Sequence, residues 1–311
     1  MRKRYTSETS RSAPCLSKPQ IRSAAMIVNA KSRRGQDLFE QACSLMKGLP
    51  FPVDAHAVEE PDQLEPTLKR ALAAKPDLVI LGGGDGTISG LVDFLTGTGA
   101  ALAVLPLGTA NSFARSLGIP LDIPGAIDVI AKGELRRIDL GMIDNDYFAN
   151  CASMGLSPQI AENIPSGLKR WFGRAGYLGW AAYEFTRFHP FTLIVGEGAE
   201  EKRLRVVEVR IANGRFHGGT ELIDEASVDS GEIVVQAVQG HARRRLARNW
   251  LNSVLRREAR HEDTINFTGK SLRIATEPPL PVSIDGEVLA HTPVTARIAA
   301  AVIDVMVPRA S

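Results

Sequence analysis

From residue 24 to about 140, short wholly apolar runs alternate with longer segments whose apolar residues recur every three or four positions. That alternation predicts strands buried on both faces, with amphipathic helices between them. Residues 25–29 read as a strand. Residues 36–47 read as a helix, with Leu38, Phe39, Ala42, Leu45 and Met46 at helical spacing. A strand at 53–58, a helix at 64–74 and a buried strand at 77–81 follow. The last runs directly into Gly82-Gly83-Gly84-Asp85-Gly86-Thr87, and residues 88–94 continue as a helix. The order repeats: a strand at 101–106, a second glycine turn, and a short helix at 111–117 ending at Gly118. In an open parallel sheet, ligands bind beyond the carboxyl ends of the strands, so both turns are placed to face one cleft.

After residue 139 the texture becomes β-rich, with turn residues between short runs at 147–151, 191–195, 203–212, 233–238, 272–275 and 282–284. Helical stretches at 168–188 and 241–260 interrupt it. The closing segment, 295–307, alternates and can rejoin either sheet. The 311 residues therefore divide into a tail at 1–22, an α/β domain at 23–139 that residues 296–308 can complete, and a mainly antiparallel domain at 140–295. The tail is rich in Ser and Pro and reads as disordered. Met26, at the first apolar run, is an alternative start.

Composition narrows the classes without choosing one. Hydrophobic residues at 44% and charged residues at 23% suit a soluble globular chain, and a net charge of +2 is too small to argue for nucleic acid by itself, so no nucleic-acid partner is expected. Cys15, Cys43 and Cys151 are too few and too scattered for a disulfide framework or a zinc site, which fits a reducing cytoplasm. No run of about 18 apolar residues is present, so contact with a membrane is expected to be peripheral.

The first glycine turn lies between a strand and a helix, where backbone N–H groups converge on an anion favoured by the helix N-terminus. Side chains there would hold phosphates away. It is not a Walker loop, since no Gly-Lys-Ser/Thr follows, nor a dinucleotide fingerprint. Asp85 would repel phosphates unless it holds Mg²⁺ or accepts a proton, and it also reads as a turn-stabilising Asp. Asp285-Gly286-Glu287 by itself reads as a hairpin turn.

Four motifs in order, Gly83-Gly84-Asp85-Gly86-Thr87, Leu105-Pro106-Leu107-Gly108-Thr109-Ala110-Asn111-Ser112-Phe113-Ala114, Asn213-Gly214-Arg215 with Gly218-Gly219, and Asp285-Gly286-Glu287, resemble the diacylglycerol kinase catalytic-domain family. The likeness is strongest to its bacterial soluble lipid kinases. The resemblance implies a nucleotide-binding α/β domain, a β-sandwich domain, and ATP with Mg²⁺ between them. It implies nucleotide contacts from Asn29, Ala30, Lys31, Ser32 and Arg33, from Gly83 through Thr87 with Ile88 and Ser89, and from Thr109. Glu287 matches the proton acceptor for a lipid hydroxyl, with Asp285 and Asp85 as rivals for base or metal ligand. Residues 224–233 resemble a structural Mg²⁺ loop in which Asp229 is retained and Ser230 replaces an acidic ligand. Ser112 and Ser89 stand where the family often carries Asp and Asn.

Two stretches suit a lipid surface. Residues 241–261 combine seven arginines with Leu246, Trp250, Leu251, Val254 and Leu255, a basic amphipathic helix, although a solvated face packed on its own core reads equally well. The second, Trp171, Phe172, Tyr177, Trp180 and Tyr183, is an aromatic stripe suited to the interface, although such a stripe is more often core. An ATP-dependent kinase of a lipid such as diacylglycerol, working in the cytoplasm or at the inner membrane face, is the leading expectation. An NAD kinase and a catalytically silent lipid-binding protein are the alternatives.

Overall fold

The structure is a computed structural model that describes residues 21–31, 33–155, 189–198, 201–239, 264–284 and 287–309. The helices expected at 168–188 and 241–260, and with them both lipid-facing stretches, lie outside the described residues. The first part of the chain runs β1 (Ala24–Asn29), α1 (Arg33–Met46), β2 (Val53–Val58), α2 (Leu64–Ala73), β3 (Leu78–Gly83), α3 (Asp85–Val92), β4 (Ala101–Pro106), α4 (Ser112–Ser116) and α5 (Ile123–Lys132). Its strands pair in parallel in the order β2–β1–β3–β4. Every residue of β3 and β4 is buried, as expected of parallel strands covered on both faces. Their side chains join those of α2, α3 and α5 in one core. Helix α5 was not among the expected elements. Its signals are nonetheless local: Asp122 caps it by accepting from the Gly125 N–H at 2.8 Å, and Pro124 stands in its first turn.

The remainder is β5 (Glu134–Ile143), β6 (Asp146–Phe148), β7 (Cys151–Gly155), β8 (Phe191–Val195), β9 (Lys202–Ala212), β10 (Phe216–His217), β11 (Thr220–Glu221), β12 (Ile233–Gln239), β13 (Thr264–Gly269), β14 (Ser271–Glu277), β15 (Pro281–Ile284), β16 (Glu287–His291) and β17 (Val294–Val307). Apart from one parallel pairing of β17, these strands pair antiparallel, and a second core forms among them. The single strand expected at 147–151 is two strands. The break falls at Ala149 and Asn150, whose carbonyls are taken by Asn213: its side-chain amide donates to Ala149 and its backbone N–H to Asn150, each at 2.9 Å.

β17 answers where the chain's end goes: it joins the parallel and the antiparallel strands into one continuous sheet. Val305 pairs in parallel with Leu102 of β4, while residues 294–297 pair antiparallel with β14, and β5 follows β17 along both halves. The register shifts between Ala299 and Ile303, where Ala301 has φ +52°. Asp139 holds that bulge by accepting from the Ala301 N–H at 2.7 Å, and the Arg137 guanidinium donates to the Ala301 carbonyl at 2.7 Å and to Asp304 at 2.9 Å.

α3 ends against β6 at Asp93. Burial raises the Asp93 carboxyl to about 6; the Tyr147 N–H pulls the other way and Asp146 adds to the rise. One of its oxygens is buried with no hydrogen-bond partner. The fold therefore favours the neutral acid. That contribution is fully present below the ordinary carboxylate value and is lost as pH rises through about 6. Asp93→Asn is expected to raise the melting temperature at pH 7.5 and to leave it unchanged at pH 4, as read by thermal unfolding at both values.

Candidate functional site

Both glycine turns leave adjacent parallel strands at the same end of the sheet, and backbone contact locks them together. A Cβ at Gly108 would fall 2.5 Å from the Gly84 Cα, and one at Gly83 would fall 2.5 Å from the Thr87 side chain. Neither position has room for any other residue. The Leu107 N–H donates to the Gly83 carbonyl at 2.9 Å, carrying the β3–β4 ladder into the turns.

No side chain caps α3, whose N-cap is Gly84, so the N–H groups of Asp85, Gly86 and Thr87 are left for an outside acceptor. A cavity of about 170 Å³ opens beside them, lined by Asn29, Gly35, Leu38, Gly83, Gly84, Thr87 and Leu107. Asn29 spans it, donating from its side-chain amide to the Thr87 hydroxyl at 3.2 Å and accepting from the Lys31 N–H at 3.3 Å. Gly35 lets α1 start close against Asn29 and Ala30, where a Cβ would meet both at 3.1 Å. The residues present thus fit a phosphate chain: small walls, uncapped amides, and the exposed Lys31 two residues beyond Asn29.

Not every expected contact faces this cavity. Ile88 is buried in the core and its N–H is taken by the Gly84 carbonyl at 3.1 Å. Ser89 is buried too, and its hydroxyl accepts from the Ala149 N–H at 3.2 Å, tying α3 to the β6–β7 break. Ala30 is buried, so only its backbone can serve. Thr109 is exposed on the second turn. Ser32, Asp285 and the side chains of Arg33 and Glu287 lie outside the described residues; Glu287 opens β16 and pairs with Ile284, so the flanking strands form a hairpin around positions 285–286.

Asp85 does something that the sequence reading left open. One of its oxygens accepts from the Phe113 N–H at 3.0 Å, which makes it the cap of α4, a helix with no cap from its own N-cap side chain. Asn111, in the left-handed region at φ +48°, holds the turn before α4. Its side chain accepts from the Gly108 N–H at 2.9 Å and donates to the Gly108 carbonyl at 3.0 Å. Asn is among the few residues that tolerate this conformation, and that was the available signal for its role.

The second part of the chain closes on the same turn. The Gly219 N–H donates to the Ser112 hydroxyl at 3.0 Å, and Gly219, at φ +82°, packs on Ala110. The short hairpin β10–β11 is thereby pinned to the glycine turn, and it carries His217. Desolvation is the main cause that lowers the His217 imidazole below its ordinary value; Arg210 adds to it, while Glu208 and Asp85 oppose. His217 is therefore uncharged at neutral pH. Behind it, Arg210 donates to Glu208 at 2.8 Å and to the Gln236 side chain at 2.9 Å, a buried polar cluster that sequence reading did not find.

A resident divalent cation fits less well than the phosphates do. Among the described residues, no group of three or more His, Cys, Asp or Glu is placed to hold a metal ion. Asp229 accepts from the Ser227 hydroxyl and faces the Arg136 guanidinium at 3.8 Å, so the cation nearest it is a side chain.

Residues 23–143 match the diacylglycerol kinase catalytic domain family, and residues 151–307 match the YegS C-terminal NAD kinase beta sandwich-like domain. A protein of Pseudomonas syringae pv. tomato named as a probable YegS-like lipid kinase is 32% identical over 213 residues, 68% of this chain and 69% of that one. A diacylglycerol kinase of Staphylococcus epidermidis is 27% identical over 287 residues, 85% of each chain. A crystal structure described as a diacylglycerol kinase from Bacillus anthracis str. Sterne has the same fold, with a TM-score of 0.72 at 20% identity over 93% of this chain and 98% of that one.

Two glycines separate the site from the scaffold. Gly108→Ala must push the turns apart and is expected to weaken ATP binding by roughly tenfold or more. Gly90→Ala, in mid-helix of α3 with nothing within 4 Å of the added carbon, is expected to leave binding intact and to stabilise the fold by about 1 kcal/mol. Titration calorimetry and urea unfolding of the two variants check both.

Proposed function

Because the chain belongs to the diacylglycerol kinase catalytic-domain family and is a lipid kinase, we propose that it passes the γ-phosphate of ATP to the hydroxyl of a lipid such as diacylglycerol. The observation that carries this reading is the pair of glycine turns in backbone contact, with the uncapped N-terminus of α3 opening on the cavity beside them. In this reading the amides of Asp85, Gly86 and Thr87 bind the phosphates. Asn29 orients Thr87, Lys31 and Arg33 add positive charge, and Thr109 contacts the nucleotide from the second turn.

Mg²⁺, when bound with ATP, neutralises charge on the phosphates; Asp85 and Asp285 are its proposed carboxylates, and Asp229 is kept only as the remnant of a second, structural position. Glu287 is the proposed proton acceptor for the lipid hydroxyl. It stands at the start of β16, in the second part of the chain, while Asp85 is engaged as the α4 cap. Residues 23–139, with the end of β17, act as the nucleotide domain, and the β-rich part presents the acceptor. No described helix is long and apolar enough to cross a membrane. The enzyme is proposed to act in the cytoplasm, meeting lipid at the inner membrane face through residues 241–261.

The test is ATP consumption with product identification over a panel of diacylglycerol, phosphatidylglycerol, sphingosine, ceramide and NAD. One lipid is expected to be phosphorylated and NAD to be left unchanged; consumption with NAD alone would overturn the reading. Glu287→Gln is expected to keep ATP binding and lose about 10²–10⁴ in turnover, the usual reach of general-base help. A near-normal rate would remove Glu287 from the mechanism. Chelation of Mg²⁺ is expected to stop turnover in the same assay.

A further inference from the structure

On the C-terminal side of α4 lies a second cavity, of about 450 Å³, which shares no residue with the phosphate cradle. Three guanidinium groups line it from three different elements: Arg115 at the end of α4, Arg136 on β5, and Arg215 just before β10. Each carries five N–H donors and no acceptor. Their partners among the described residues are few. Arg115 donates through Nε to the Ala110 carbonyl at 2.9 Å. Arg215 reaches Glu221 at 3.4 Å. Arg136 has only the Leu117 carbonyl at 3.5 Å and Asp229 at 3.8 Å, and its Nε is buried with no partner at all.

Two carboxylates, Glu221 and Asp229, share the cavity with three guanidiniums, which leaves one positive charge over. Asp229 is partly spent on the Ser227 hydroxyl. A buried guanidinium N–H without an acceptor is costly to leave unmade. Planar forks of this kind pair bidentately with carboxylate and phosphate oxygens. The three arginines line the cavity from three different elements, a spread that suits a tetrahedral oxyanion better than a flat carboxylate. The volume far exceeds that of one phosphate group and has room for what the phosphate is attached to.

We propose that this cavity is a binding site for a phosphate group, distinct from the nucleotide cradle, and that Arg115, Arg136 and Arg215 hold it. The phosphate can belong to an anionic lipid headgroup or to a free phosphate. The site is coupled to the nucleotide turn by covalent and hydrogen-bonded neighbours. Arg115 grips the Ala110 carbonyl, one residue past Thr109, and the hairpin that follows Arg215 rests on Ala110 through Gly219. An anion drawing on Arg115 therefore acts on the same backbone that lies against Gly84.

The experiment titrates the full chain, saturated with a non-hydrolysable ATP analogue, with inorganic phosphate and separately with water-soluble dihexanoyl phosphatidate, by calorimetry. One molecule is expected to bind per chain, and Arg136→Gln and Arg115→Gln are each expected to weaken it by tenfold or more. Phosphatidate binding with little phosphate binding identifies a lipid headgroup; equal affinity for both identifies free phosphate; either supports the site. Absence of binding by both probes overturns it, as does unchanged affinity in both variants. Binding seen only without the ATP analogue also overturns it, since the cradle would then be the site. If Arg136→Gln fails to fold by circular dichroism, Arg215→Gln, whose side chain is 45% exposed, takes its place.

Discussion

Everything at the candidate site depends on two backbones meeting where neither has a side chain. Gly84 and Gly108 stand at the ends of neighbouring parallel strands, and a single Cβ at Gly108 would lie 2.5 Å from the opposite Cα. Because the turns touch, Asp85 on one can cap the helix that follows the other, and the helix it caps then presents Ser112 to Gly219. One steric constraint thus sets the phosphate cradle, the direction of α4 and the seat of the β10–β11 hairpin. The hydrogen bonds stabilise an arrangement that glycine makes possible.

A second constraint joins the two parts of the molecule. Asp139 accepts from the Ala301 N–H on the β17 bulge and from the Gly231 N–H on the loop before β12, each at 2.7 Å. Its carbonyl accepts from the buried Asn213 side chain at 2.9 Å, and Asn213 in turn closes the β6–β7 break. Satisfying these buried groups requires β5, β9 and β17 to be in place together. The chain's last strand therefore cannot be read as an appendage of the parallel or the antiparallel part, since it joins both into one sheet.

What was legible in the sequence was whatever is local. β1, β3 and β4 are apolar runs whose residues are buried on both faces, and the glycines at and just after the ends of β3 and β4 announce their turns. The Gly118 stop of α4 also holds, at φ +72°. β5 was missed because Glu134, Arg136, Arg137 and Asp139 interrupt its apolar pattern, and each of the last three has a partner far away in sequence. The break in the strand expected at 147–151 comes from Asn213, more than sixty residues away. Asp85 was recognised as exceptional inside a phosphate turn, but its cap on Phe113 needs the turns to be in contact, and no window of sequence contains both. The buried Glu208–Arg210–Gln236 cluster sits on strands whose other positions read as ordinary core, so only cross-strand register brings it together.

That capping bond also bears on how the proposed catalytic roles divide. One oxygen of Asp85 holds the Phe113 N–H, which leaves the other for a proton or a cation, and any rotation of the carboxylate toward an acceptor hydroxyl would cost α4 the side-chain cap seen among the described residues. α4 is a helix of five residues, short enough that a lost cap matters to the whole element. The second glycine turn, with Thr109 and the Ala110 seat of Gly219, would shift with it. A carboxylate held by one oxygen in this way suits fixed positioning of phosphates and a cation better than the swing of a moving base. The proposed proton acceptor, Glu287, stands on β16, which pairs with β15 and, among the described residues, is not one of the elements that glycine-turn packing brings against Gly84 or Gly108.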